Sequence, residues 1–227
     1  MLDWLPENAS TFGDDIDALF AIIYYFTTGI LSLVLLSLVT FLILYRQRPG
    51  HKAAYITGNT RLEWIWTGLI LMFLIVLFFL SRPLWATIKE RPLPDSSTIT
   101  AQVGGKQFNW NILYPGPDQQ LGTADDVQVE NELHVPVHTD IWLSLVSEDV
   151  IHSFFVPHLR VKQDMVPGRE ILVWFQATKP GLYEIACAEL CGFGHSIMRG
   201  WLHVLPPDEY EAWQSQHWPS NTSEAPP

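Results

Sequence analysis

Two long stretches of this chain carry no charged residue at all: Ala18 to Tyr45 and Trp64 to Ser81. Each is long enough to cross a bilayer as a helix, which takes roughly 20 apolar residues. A core helix of a soluble protein rarely lacks a polar face over five or more turns, so both runs read as transmembrane helices. A cleaved signal peptide would begin with basic residues. The chain begins instead with Asp3, Glu7, Asp14, Asp15 and Asp17. Arg46, Arg48, Lys52 and Arg61 lie between the runs. They place the loop of about residues 46–61 in the cytoplasm. Both termini and everything after Pro83 are then expected on the periplasmic or outer face of a bacterial-type cytoplasmic membrane, with the lipid bilayer as a partner.

The chain divides into an extracytoplasmic N-terminal segment (1–17), a transmembrane helical hairpin (18–83), a linker (84–96), an outer domain (97–206) and a C-terminal helix with its tail (207–227). The Pro-rich "RPLPDSS" marks the boundary between hairpin and outer domain. Beyond it, "TITAQVG", "QFNWNILY", "ELHVPV", "DIWLSLV", "REILVWFQA", "LYEIAC" and "RGWLHVL" read as short β-branched and aromatic strands separated by turn residues. About seven strands in such a segment argue a β-sandwich. "PPDEYEAWQSQ" reads as a short helix, and "PSNTSEAPP" as a disordered tail. From Leu84 onward eight Lys and Arg stand against eighteen Asp and Glu, a net of −10. Nucleic acid is excluded as a partner by that balance. A basic protein partner suits it, and so does simple solubility. The loop 115–126, "PGPDQQLGTADD", is read as an acidic turn insertion, since Asp118, Asp125 and Asp126 do not have the spacing of an EF-hand.

Both cysteines of the chain fall in "CAELCGFGHSIM", Cys187 to Met198. Two thiols so close on an exported face could form a disulfide. A disulfide, however, needs neither the imidazole nor the thioether that follows. Thiolate, imidazole and thioether together suit a soft or borderline metal, and the thioether points to copper. A single-copper site on a β-sandwich uses two His, one Cys and an axial Met. Here a second cysteine is present, and two thiolates can bridge two copper ions with one His for each. The loop supplies His195. The second His is either His152, in "SEDVIHSFFVP" where an apolar strand gives way to a polar turn, or His158 six residues on. His134, His138 and His203 lie in or beside strands and read as surface residues.

Taken together, "CAELCGFGHSIM", "DVIHSF", "VKQDMVPGR", "NTRLEWIWT", "KPGLYEIACAELCG" and the helical hairpin resemble subunit II of the haem-copper cytochrome c oxidases. That resemblance implies a membrane-anchored all-β protein, a two-helix hairpin followed by a cupredoxin-like β-sandwich with a binuclear copper A centre. It makes Cys187 and Cys191 the bridging thiolates, His152 and Met198 ligands of one copper, and His195 with the backbone carbonyl of Glu189 ligands of the other. It gives the Glu189 carboxylate a magnesium ion shared with subunit I. It further implies that electrons come from cytochrome c or a similar donor and pass to the haem of subunit I, with subunit III as a further partner. Proton-coupled reduction of oxygen to water would then be the reaction of the whole complex. No "CxxCH" occurs, so no haem is expected on this chain.

One departure from the family concerns electron input. Where many members carry "QWYW", this chain has Gln107, Phe108, Asn109 and Trp110. Phe108 replaces the first tryptophan, and on a continuous strand Trp110 would share its face. Phe108 and Trp110 are both candidates for electron entry, with Trp110 either a substitute for the missing tryptophan or a core residue. Glu63, at the cytoplasmic start of the second run, matches a carboxylate at the mouth of a proton channel; the plainer reading is an interfacial acid balancing Arg61. Two other classes compete with the oxidase reading: a membrane-tethered copper-delivery protein, and a copper domain like that of nitrous oxide reductase, which is soluble.

Overall fold

The structure, a computed structural model, describes residues 4–92 and 99–218. The chain forms two compact units, one of residues 15–87 and one that joins residues 4–14 to everything described from Ile88 onward. The first contains the bodies of two helices, α1 (Gly13–Leu44) and α2 (Thr60–Lys89), of 32 and 30 residues. At 1.5 Å per residue each is about 45 Å long, more than the ~30 Å of a bilayer's hydrocarbon core. Both are long and apolar enough to cross a membrane. Two hydroxyls of α1 are satisfied by its own backbone: Thr27 and Thr40 donate to the carbonyls of Ile23 and Leu36, four residues back. Asn59 caps α2 by accepting the Leu62 amide at 3.2 Å, and Glu63 sits in the first turn, where the helix dipole favours an acid. The rings of Phe26 and Phe73 stack between the helices, centroids 3.6 Å apart.

α2 runs to Lys89, into the residues read as linker, and Pro83 lies inside it. Proline there removes one amide donor from the helix ladder, and one turn later Thr87 Oγ1 donates to the Pro83 carbonyl at 3.1 Å. The remaining linker residues 93–96 and the tail read as disordered, 219–227, lie outside the described residues. Within the outer unit Arg91 forms an ion pair with Asp140 at 2.5 Å, its guanidinium lying 4.2 Å over the Trp174 ring.

Among the described residues the outer domain has ten strands, three more than the sequence reading finds. They are β1 (Ala101–Lys106), β2 (Asn109–Tyr114), β3 (Val127–Glu130), β4 (Glu132–Pro136), β5 (Asp140–Ser147), β6 (His152–Val156), β7 (Val161–Met165), β8 (Ile171–Gln176), β9 (Gly181–Cys187) and β10 (Arg199–Leu205). One sheet has the order β3-β2-β1-β5-β8 and the other β4-β10-β9-β6-β7. This is the expected sandwich. Its core is filled by alternating residues such as Ile112, Leu143, Leu145, Phe154, Phe175, Ile185, Leu202 and Val204, all buried. A short helix, α3 (Pro207–His217), follows β10.

Residues 4–14 pack on the outer unit. Ser10 bridges Ala177, the Ala9 amide donates to the His158 carbonyl, Glu7 pairs with Lys179, and Phe12 meets Trp174 edge-on at 5.7 Å. In the 115–126 loop the acids serve the loop itself. Asp126 accepts the Gly122 amide, Asp118 the Gln120 amide, and Asp125 both the Asp118 amide and the Thr123 hydroxyl. His134 corrects the sequence reading: expected at the surface, it is buried, because α3 lays Trp213 parallel to its ring at 4.5 Å. His203, expected likewise, is half-buried against the other face at 4.2 Å.

Candidate metal centre

β6 and β9 are neighbours, with Phe154 opposite Cys187, and the Ala188 amide extends the ladder to the Ser153 carbonyl at 3.0 Å. This register sets His152, the first residue of β6, against the loop that follows β9. The loop returns through a 3-10 turn at His195–Ile197, and the Cys187 amide closes it on the Met198 carbonyl at 3.3 Å. Five side-chain donors converge as a result. The sulfurs of Cys187 and Cys191 stand 3.8 Å apart as free thiols. His152 Nδ1 lies 3.9 Å from Cys187 Sγ, His195 Nδ1 3.6 Å from Cys191 Sγ, and Met198 Sδ 3.8 Å from Cys191 Sγ. The Glu189 carbonyl lies 3.2 Å from Cys187 Sγ. His152, both cysteines and Met198 are buried, while His195 is half-buried.

The electrostatics suit a cation. Burial first, and then the neighbouring Cys187, push the Cys191 thiol up to about 11. Two thiolates at this spacing repel each other unless a positive ion lies between them. His152 Nε2 donates to Asp149 Oδ1 at 2.7 Å, which fixes the proton on Nε2 and leaves the Nδ1 lone pair facing the sulfurs. Burial by itself would raise the Asp149 carboxyl, yet hydrogen bonds from the Gln107 amide, His152 and the Val150 amide hold it below the ordinary value. Asp149 is the site residue the sequence reading missed; an acid three residues before a ligand-type histidine in "SEDVIH" was the available signal.

Phe108 lies in the two-residue turn between β1 and β2, not on a continuous strand with Trp110. The two rings therefore do not share the face of one strand. A Cβ on Gly194 would come within 2.5 Å of the half-buried Phe108 ring, and one on Gly192 within 2.7 Å of Gln107 Nε2. Glycine at both positions lets this turn close over the loop, and Gln107 Nε2 donates to the Cys191 carbonyl at 2.6 Å. Trp110 is fully buried, edge-on to Phe154 at 6.0 Å and to His152 at 6.4 Å. His158 follows the far end of β6, against Tyr183 at 5.2 Å. At about 3.3 Å per residue, the length of β6 keeps it out of the cluster. Glu189 carries its side chain outward, exposed, and Glu63 is exposed on α2.

Residues 100–203 match the family described as cytochrome C oxidase subunit II, periplasmic domain, and residues 2–84 match its transmembrane domain. Cytochrome c oxidase subunit 2 of Thermostichus vulcanus is 30% identical over 94% of this chain and 78% of its own length. Alternative cytochrome c oxidase subunit 2 of Bradyrhizobium diazoefficiens is 29% identical over 94% of this chain and 83% of its length. Among solved structures, the periplasmic domain of subunit II of cytochrome oxidase (CoxB) of Bradyrhizobium japonicum is 30% identical, covering 56% of this chain and 95% of that one, with a TM-score of 0.48. The chain belongs to the cytochrome c oxidase subunit II family. It is thus a membrane-anchored subunit of an oxidoreductase complex, cytochrome c oxidase, with a cupredoxin-like outer domain that the family places in the periplasm.

Proposed function

We propose that this chain is the electron-input subunit of its oxidase, receiving electrons from cytochrome c or a similar donor and passing them to the haem of subunit I. The observation that carries this reading is the convergence of two free thiols, two imidazole Nδ1 atoms and one thioether on one buried point. That donor set fits a pair of copper ions: thiolates enough to bridge them, one imidazole for each, and a soft thioether. Cys187 and Cys191 would bridge, with His152, Met198, His195 and the Glu189 carbonyl completing the set. When bound, the copper pair supplies a one-electron redox couple whose charge is shared over both metals.

The protein's part is to hold the donors still. Asp149 fixes the tautomer and direction of His152, the β9–β10 hairpin fixes both ends of the cysteine loop, and Gln107 with Phe108 closes it from above. Ligands so restrained change little when charge arrives, which keeps the cost of electron transfer low. Phe108, half-buried in its turn, is the proposed point of electron input, with Trp110 beneath as packing. The exposed Glu189 carboxylate is the proposed magnesium ligand shared with subunit I. Glu63 is the proposed entrance of a proton channel into subunit I, subunit III is a further proposed neighbour, and both termini are proposed to lie outside a bacterial-type membrane.

The test is made on the assembled oxidase. An EPR signal split by two equivalent copper nuclei is expected, together with reduction by a basic cytochrome c that slows as salt rises. The acidic outer domain steers such a donor, and the steering is screened once the Debye length falls to about 8 Å. A mononuclear copper spectrum would overturn the reading, and a salt-independent rate would remove the basic donor from it. Asp149→Ala is expected to weaken copper retention by roughly 10–100-fold, as removal of a carboxylate behind a ligating histidine does. Asp149→Asn, which keeps an acceptor, should cost less; equal copper retention in both variants and the parent would reduce Asp149 to a loop residue.

A further inference from the structure

A second cluster of ligand-type side chains lies on the outer face of the β4–β10 pair. His134 and His203 are directly opposite in parallel register, and Glu132 lies two residues before His134 on the same face of β4. One imidazole nitrogen from each histidine and a Glu132 carboxylate oxygen lie within 4.8 Å of one another. His134 is only 8% exposed, and its Nδ1 has no hydrogen-bond partner; the buried Nε2 of His203 has none either. Unpaired buried ring nitrogens are costly to leave unsatisfied and demand an explanation. Stacking accounts for the ring faces, which Trp213 and the second imidazole cover, but it does nothing for the nitrogens in the ring edges. The exposed Glu132 opens the cluster to solvent.

We infer that Glu132, His134 and His203 form a second metal site, for a borderline divalent ion of the zinc type. Two imidazoles and one carboxylate suit such an ion better than the oxygen-seeking magnesium or calcium. The two imidazole planes lie 6° apart, so shared coordination would require the half-buried His203 ring to turn about its Cβ–Cγ bond, a soft torsion. Three protein ligands leave a coordination position for water. The site shares no residue with the cysteine loop. His203 lies five residues beyond Met198, about 16 Å along β10 at the strand rise. An ion held here clips the edge strand β4 to β10.

The experiment uses the full-length chain in detergent, exposed to micromolar zinc, desalted and assayed for metal by mass spectrometry. Parent protein and Cys191→Ser are both expected to retain one zinc attributable to this cluster. His203→Phe, which keeps a stacked ring and removes the ligand nitrogen, is expected to lose that zinc while its far-UV circular dichroism is unchanged. Glu132→Gln, on an exposed side chain, should weaken retention severalfold without any folding risk. Zinc uptake by His203→Phe and Glu132→Gln equal to the parent's would overturn the assignment, since the ion would then sit elsewhere. So would a parent and Cys191→Ser that retain none.

Discussion

Changing His152 to alanine is expected to abolish the paired-copper EPR signal of the full-length chain, while the same change at His158 leaves it intact. Both histidines flank β6, and a motif reading alone does not separate them. The fold does. His152 opens the strand, with its Nδ1 toward Cys187 and its Nε2 on Asp149, whereas His158 follows the strand's other end against Tyr183. Loss of one of two imidazoles leaves one ion of the pair without its nitrogen donor, so at least a tenfold fall in bound copper should accompany loss of the signal. Circular dichroism separates ligand loss from unfolding. A surviving split signal in His152→Ala, or its loss in His158→Ala, would reverse the assignment.

Trp110→Ala is expected to be the most destabilising single change near the site, by about 3–5 kcal/mol, the usual cost of removing a fully buried large aromatic side chain. The ring is wholly enclosed between Phe154 and His152, so its removal opens a cavity directly beneath a proposed ligand. Its indole Nε1 has no partner to lose, and Trp110→Phe should cost less because it keeps an aromatic contact with Phe154. The denaturant midpoint, followed by circular dichroism, measures both. If Trp110 were instead the point where electrons enter, the alanine variant would keep its midpoint and lose only its rate of reduction.

The hairpin, the sandwich class and the cysteine loop were legible in the sequence because each rests on a local pattern: uncharged runs, alternation and a dense cluster of ligand-type residues. What was not legible depends on partners distant along the chain. β7 carries Lys162, Gln163 and Asp164 and lacks alternation, since as an edge strand it has one neighbour and faces solvent. β6 hides its period because four of its five residues are buried. Its first residue is the histidine in doubt, and the sequence pattern puts a strand before His152 where the fold has one starting at it. Phe108 and Trp110 look continuous in sequence, while a two-residue turn separates β1 from β2. His134 looked like a surface residue until α3, from the far end of the sequence, brought Trp213 onto it.

The pairing of β6 with β9 also bears on the order in which the centre comes together in time. Cys191 meets His195 across four residues and Met198 across seven, but Cys187 meets His152 across thirty-five. Closing the longer loop costs about 2 kcal/mol more in chain entropy than closing the shortest, by the logarithmic dependence on loop length. Hairpins such as β9–β10 form within microseconds, whereas non-local strands wait for the collapse of the chain. The sulfur donors and His195 are therefore expected to be neighbours early, with His152 the last to arrive. An ion captured before β6 docks would be held by a loop alone, and the pairing of β6 with β9 would make the grip rigid afterwards.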